Sequence, residues 1–298
     1  MTETDPMTVA VVGPGAIGTT VAVALHERGG APFVAGRTPR PDLRLQVGGT
    51  VVVAPVPVRT DPDDAPGAVD LVVLAVKATQ TTDAAPWLAR LCGPGTVVCV
   101  LQNGVEQRES VAPLAPGASV VPAVVWFPAE RLPDATVRLL GEPRLTLPAD
   151  PGSDVVVRAL EGTRCAVDTT ADFAEAAWRK LLQNAAAGLM ALTGRRSGVF
   201  GRDDVGALTL AYLRECLAVA HAEGADLGED ELQRVLDAFR GAPPERGTSI
   251  LADREAGRPL EWDVRNGVVR RLARAHGIPT PISDVLVPLL AATSDGPG

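Results

Sequence analysis

The chain has 298 residues, enough for two domains that each bury a core, at about 100–200 residues per domain. It carries 28 Lys+Arg against 36 Asp+Glu, a net charge of −8, which excludes general electrostatic attraction to nucleic acid or to an anionic membrane. At 46% hydrophobic and 21% charged, it is not composed like a disordered chain.

Four cysteines (Cys92, Cys99, Cys165 and Cys216) show no C-x-x-C spacing, so reduced thiols are expected rather than a disulfide framework. Met1–Thr8 is polar and acidic, and no run approaches the roughly 18 apolar residues of a membrane span. The expectation is a soluble, cytoplasmic protein without a leader, a membrane partner or a nucleic-acid partner. Only Lys77 and Lys180 among the 28 basic residues are lysines, and asparagine occurs only at 103, 184 and 266. An ammonium can lend a proton at an accessible pKa and a guanidinium cannot, so the two lysines are the basic candidates for acid–base work.

In chain order, Thr8–Val12 is a continuous apolar run suited to a strand buried on both faces. Gly13-Pro14-Gly15-Ala16-Ile17-Gly18 follows, and Thr19–Arg28 reads as a small-residue helix. A strand, a G-x-G-x-x-G turn and a helix in immediate succession form the dinucleotide fingerprint. Its glycines allow the turn, the approach of a pyrophosphate and close helix–strand packing. The next strand, Pro32–Ala35, runs into Gly36-Arg37 with no acid until Asp42. NAD sites usually place an acid there for the ribose 2′-hydroxyl, whereas Arg37 suits a 2′-phosphate, so NADP is the expected cofactor.

Val69–Val76 is a strand ending at Lys77-Ala-Thr-Gln80, and Gly95–Leu101 is a strand ending at Gln102-Asn103-Gly104. Polar residues at the carboxyl ends of parallel strands face the ligand cleft, although Asn103-Gly104 is also a common turn dipeptide. Residues 119–167 read as short, Pro-broken strands at the sheet edge.

Beyond residue 170 the pattern becomes helical: Asp172–Thr193, Asp203–Glu223, Asp230–Arg240, a helix after Thr248 with Ser249 as a candidate cap, and Val264–His276. Lys180, Asn184 and Gly188, spaced by four, share one helix face that either meets solvent or lines a polar cleft. A second polar cluster comprises Ser249, Asp253, Glu261, Asp263 and Asn266, against a plainer reading as a helix cap and surface acids. Three unpatterned histidines offer no metal site. The expected fold class is α/β, with a doubly wound Rossmann domain over residues 1–170 and an all-helical domain over 171–298.

The segments Gly13–Gly18, Lys77–Gln80, Leu101–Val105, Trp178–Asn184, Thr248–Asp253, Glu261–Asp263 and Ala275–Pro281, in that order, resemble the ketopantoate reductase (2-dehydropantoate 2-reductase) family. The resemblance implies a C-terminal domain of the 6-phosphogluconate-dehydrogenase type. It also implies NADPH-dependent reduction of a 2-keto acid to a 2-hydroxy acid, with 2-dehydropantoate the leading substrate. Carried over by motif position, Lys180 is the proton donor and Glu261 binds the substrate's hydroxyl. Asn184 and Ser249 contact substrate, and Asn103 and Lys77 sit beside nicotinamide, ribose or substrate. The expected NADP contacts are Gly13, Pro14, Gly15, Ala16, Ile17, Gly18, Arg37, Lys77, Gln80 and Asn103. The expected partners are a small 2-keto acid and, compatibly with the class, a second copy of the chain.

Two departures stand out. Gly188 replaces an Asn that the pattern often carries, and Arg246 stands where some members carry Asn. A pocket that has lost amide hydrogen bonds can hold a different 2-keto acid. The alternatives are therefore a paralogous reductase of another 2-keto acid or imine, and a non-catalytic NADP-binding sensor. A sensor needs neither Lys180 nor Glu261.

Overall fold

A computed structural model describes residues 7–295, so most of the polar Met1–Thr8 stretch lies outside the described residues. Contacts divide the chain into two compact units: residues 1–102 with 106–173, and residues 103–105 with 174–298.

The first unit opens with β1 (Val9–Val12), α1 (Ala16–Glu27), β2 (Phe33–Ala35), β3 (Leu43–Val47), β4 (Thr50–Ala54) and β5 (Val58–Arg59). It continues with β6 (Leu71–Leu74), α2 (Ala85–Leu91), β7 (Val97–Val100), α3 (Gln107–Val111) and β8 (Ser119–Pro122). It closes with β9 (Val124–Val125), β10 (Ala129–Arg131), β11 (Val137–Leu139), β12 (Arg144–Pro148), α4 (Pro151–Leu160) and β13 (Ala166–Thr170). The main sheet is parallel in the order β5-β2-β1-β6-β7-β8, and its strand order reverses between β1 and β6. The continuous apolar runs have a physical reason. Val11, Val73, Cys99 and Val121 join the core on one face, while Ala10, Val72, Val98 and Val120 join the core on the other. A strand covered on both faces cannot alternate with polar residues.

Several expectations need correction here. The first helix begins at Ala16 rather than Thr19, because the glycine loop turns directly into it with Gly15 as its N-cap. Residues 119–167 are not simply the sheet edge. β8 is that edge, whereas β10 and β11 join the β3–β4 hairpin in a four-stranded sheet, and β9, β12 and β13 form a third sheet. The helix α4 connects β12 to its parallel neighbour β13. It starts where the Asp150 side chain accepts a hydrogen bond from the Ser153 amide and Pro151 fits the first turn.

The second unit comprises α5 (Phe173–Thr193), α6 (Asp203–Ala222), α7 (Asp230–Arg240), α8 (Ser249–Glu255), α9 (Val268–His276) and α10 (Pro281–Ser294). A π-helical turn, Asp263–Gly267, leads into α9. Trp178, Leu181, Ala185 and Leu189 of α5 pack with Tyr212 and Leu213 of α6 and with Val268 and Val269 of α9 in the main core. Among the described residues, no helix is long and apolar enough to cross a membrane.

Candidate active site

In the first unit the chemistry gathers at the carboxyl ends of β1, β2 and β6, at the strand-order reversal, where open α/β sheets bind ligands. Gly13 takes a φ of +95°, and a Cβ there would come within 2.7 Å of Val76, next to Lys77. A Cβ on Gly18 would meet the Gly13 carbonyl oxygen at 2.2 Å, so only glycine permits α1 to sit this close to the loop. At Gly15 no atom lies within 4 Å of the Cβ position, and the N-cap of α1 has no side-chain hydrogen bond. Open space before uncapped helix amides fits a pyrophosphate.

A Cβ on Gly36 would stand 2.9 Å from the Pro14 ring, so the Arg37 turn lies close beside the loop; Arg37 itself is exposed. Lys77 is partly buried and precedes the short turn Ala78–Gln80, whose Gln80 amide donates to the Lys77 carbonyl oxygen. The sequence reading passed over Arg40. Its Nη2 donates to the Pro14 carbonyl oxygen at 2.7 Å, clamping the loop, while its buried Nε has no partner. Burial first, then the nearby Arg131 charge, lower its pKa.

In the second unit, Asn103, Asn184, Glu261 and Arg265 close a ring of hydrogen bonds. Asn103 Nδ2 donates to Glu261 Oε2 at 3.1 Å, and Asn184 Nδ2 donates to Asn103 Oδ1 at 3.2 Å. Arg265 Nη2 donates to the same Glu261 oxygen at 3.0 Å, and its Nη1 reaches Asn184 Oδ1 at 3.5 Å. Ser249 joins from α8, its Oγ accepting from Arg265 Nη2 at 3.0 Å. The plainer readings of these positions as turn, cap and surface acid do not describe this arrangement. Glu261 and Arg265 are 6% and 2% exposed at their side chains, and Asn184 is also buried. Ser249 is not the cap of α8, because Thr248 takes that position and the Ser249 hydroxyl is engaged by Arg265.

Lys180 lies one turn before Asn184 on α5 and is partly buried. Burial, with a further contribution from the Arg265 charge, pushes its ammonium down to about 8. That value lies close to working pH, as proton transfer requires.

Gly188, on the same face, lies against the Asn266 side chain. A Cβ there would stand 2.7 Å from Asn266 Nδ2, which donates to the Ala185 carbonyl oxygen and to Tyr212 Oη. The missing Asn is thus matched by the Asn266 amide packed over the glycine. Arg246 has an exposed side chain, and its main chain bonds Ser197 and Pro243.

Arg265 is the major residue the sequence reading missed. Its signal is an i,i+4 spacing from Glu261, hidden among 26 arginines. The π-helical turn, closed by the Val268 amide on the Asp263 carbonyl oxygen, carries both Arg265 and Asn266. Among the described residues, no three His, Cys, Asp or Glu side chains converge as a metal site would require.

The family models for ketopantoate reductase PanE/ApbA and for its C-terminal region match residues 9–152 and 172–294. A 2-dehydropantoate 2-reductase of Mycobacterium tuberculosis (strain H37Rv) is 57% identical over 291 residues, covering 97% of this chain and 99% of the relative. A protein of the same name from Caulobacter vibrioides is 35% identical, over 96% of this chain and 99% of that one. A dimeric ketopantoate reductase from Staphylococcus aureus superposes with a TM-score of 0.89 at 25% identity, covering 98% of this chain and 100% of that one. The chain belongs to the ketopantoate reductase family.

Proposed function

We propose that this chain reduces 2-dehydropantoate to pantoate with NADPH, the first unit holding the dinucleotide and the second carrying the groups that act on substrate. The observation that carries the reading is the ring in the second unit. It ties Asn103, Asn184, Ser249 and Glu261 together beside a lysine held at about 8. The relatives named 2-dehydropantoate 2-reductase at 57% and 35% identity supply the substrate.

When bound, the cofactor supplies a hydride to the carbonyl carbon of the 2-keto acid. The Lys180 ammonium donates its proton to the carbonyl oxygen, which otherwise becomes an alkoxide, and its charge stabilises that oxygen as it develops. With a pKa of about 8, most Lys180 is protonated at pH 7. Glu261, its carboxylate oriented by Asn103 and Arg265, accepts a hydrogen bond from the substrate's distal hydroxyl. Asn184 and Ser249 hold the acid end. Arg37 pairs with the 2′-phosphate, and the uncapped amides before α1 take the pyrophosphate.

The function is tested by NADPH oxidation with 2-dehydropantoate, with other branched 2-keto acids and without substrate, followed by identification of the product. Fastest turnover of 2-dehydropantoate, with pantoate formed, is the expected result. Preference for another 2-keto acid overturns the substrate, and binding of NADPH without turnover overturns the enzyme. The reading also includes a cytoplasmic homodimer, in keeping with the dimeric relative. Light scattering at the single-chain mass of 30.9 kDa would remove the dimer.

A further inference from the structure

We propose that the buried Arg265 is the counter-charge for the substrate's carboxylate and acts through Ser249, which makes it the residue that selects 2-keto acids over their uncharged analogues. The inference rests on the proposed function and deepens it.

Three observations carry it. The first is charge. The cluster of Asn103, Lys180, Asn184, Ser249, Glu261 and Arg265 holds two cations and one anion, a net charge of +1. Its arginine is 2% exposed, where solvent screens little. A carboxylate held at Ser249 meets the guanidinium charge one hydroxyl away, and an uncharged analogue gains nothing from it.

The second is direction. Ser249 is exposed, yet its Oγ accepts from the buried guanidinium. The hydroxyl hydrogen therefore points away from Arg265, and the charge behind it strengthens it as a donor to an anion. The third is incomplete satisfaction. Arg265 Nε is buried and has no hydrogen-bond partner. Burying an arginine with an unmet donor is unfavourable for stability alone, so structural duty is a poor account of its place.

Arg265 is a positioning residue on this account. Its charge is felt by the carboxylate through the Ser249 hydroxyl, and it makes no direct claim on the reacting carbonyl.

The test compares wild type with Arg265→Met and Arg265→Lys. It measures KM and kcat for 2-dehydropantoate and for its carboxamide, and calorimetric binding of pantoate and its carboxamide to the NADP-loaded protein. Wild type should favour the acid over the amide by about 10- to 100-fold, chiefly in KM and binding, the range of a charge-assisted hydrogen bond. Arg265→Met should bring that ratio near one, and Arg265→Lys should restore much of it. Because Arg265→Met leaves the Glu261 carboxylate buried without its cation, the double variant Arg265→Met/Glu261→Gln keeps the pair neutral. It should show the same lost ratio in pantoate binding.

A general packing role would weaken acid and amide alike, so an unchanged acid-to-amide ratio in Arg265→Met or in the double variant overturns the proposal. Wild-type turnover tests the function separately. A wild type that fails to reduce 2-dehydropantoate overturns the substrate reading, and the binding ratio still decides Arg265.

Discussion

The environment that suits Lys180 to its proposed proton transfer comes at the expense of stability. The lysine's pKa falls from 10.5 to about 8, so the folded protein binds the proton less tightly than the unfolded chain does. The penalty is full below pH 8, where the lysine is charged in both states. It fades as pH rises from 8 to 10.5, where only the unfolded chain still holds the proton. Lys180→Met should therefore stabilise the protein at pH 7 by up to about 3 kcal/mol, and the gain should shrink toward pH 10.5. Urea melts at the two pH values check this, and an equal effect at both would contradict it.

Gly188 gives the opposite lesson, since the sequence suggests a lost amide and the structure shows an occupied space. Gly188→Asn should displace Asn266 and destabilise by about 1–3 kcal/mol rather than improve substrate affinity. Thermal unfolding with a KM measurement decides between these. At the cofactor end, Arg37→Ala should weaken NADPH binding by about 1.5–3 kcal/mol and leave NADH nearly unchanged, as read by fluorescence titration. Lys180 and Asn184 stand out in the sequence because rare residue types interrupt an apolar helical pattern, whereas Glu261 is marked only by the family resemblance. Arg265 does not stand out, because arginine is common here and burial is invisible in one chain.

At the scale of elements, what the sequence revealed depended on how local the signal was. β1, its glycine loop and α1 were readable because an apolar run, a fixed glycine spacing and a helix adjoin. Gly18→Ala tests that reading, since its Cβ would meet the Gly13 oxygen at 2.2 Å. The loop or helix must shift, with a loss of about 1–3 kcal/mol in stability and a weakened hold on NADPH. A variant as stable and as tight as wild type would contradict the close packing.

Two elements were missed although signals existed. Gly48-Gly49 between the alternating run Leu43–Val47 and the Val-rich run Thr50–Ala54 is a two-residue hairpin turn, and it joins β3 to β4 with Val47 opposite Thr50. Asp150-Pro151 is a helix start, and α4 begins there. Which sheet a short strand joins was not readable at all. β11 pairs with β3 across about 90 residues of sequence, with β10 on its far side, and no local pattern encodes that partner.

At the scale of the molecule, the two units differ in the chemistry of their backbones and side chains. The first offers glycine turns and helix amides at the ends of parallel strands, suited to phosphates. The second offers a dense cluster of side chains on helices, suited to orienting a small acid.

On the proposed function, Lys180 gives the proton in a 2-keto-acid reduction. The pH dependence of kcat/KM for 2-dehydropantoate at saturating NADPH, in wild type and in Lys180→Ala, tests it most directly. The protonated lysine is the active form, so wild type should hold its rate below pH 8 and fall about tenfold per unit above it. Lys180→Ala should be slower by about 10²–10⁴-fold and should lack that limb. A wild-type profile flat to pH 10, or the same limb persisting in Lys180→Ala, would contradict the account.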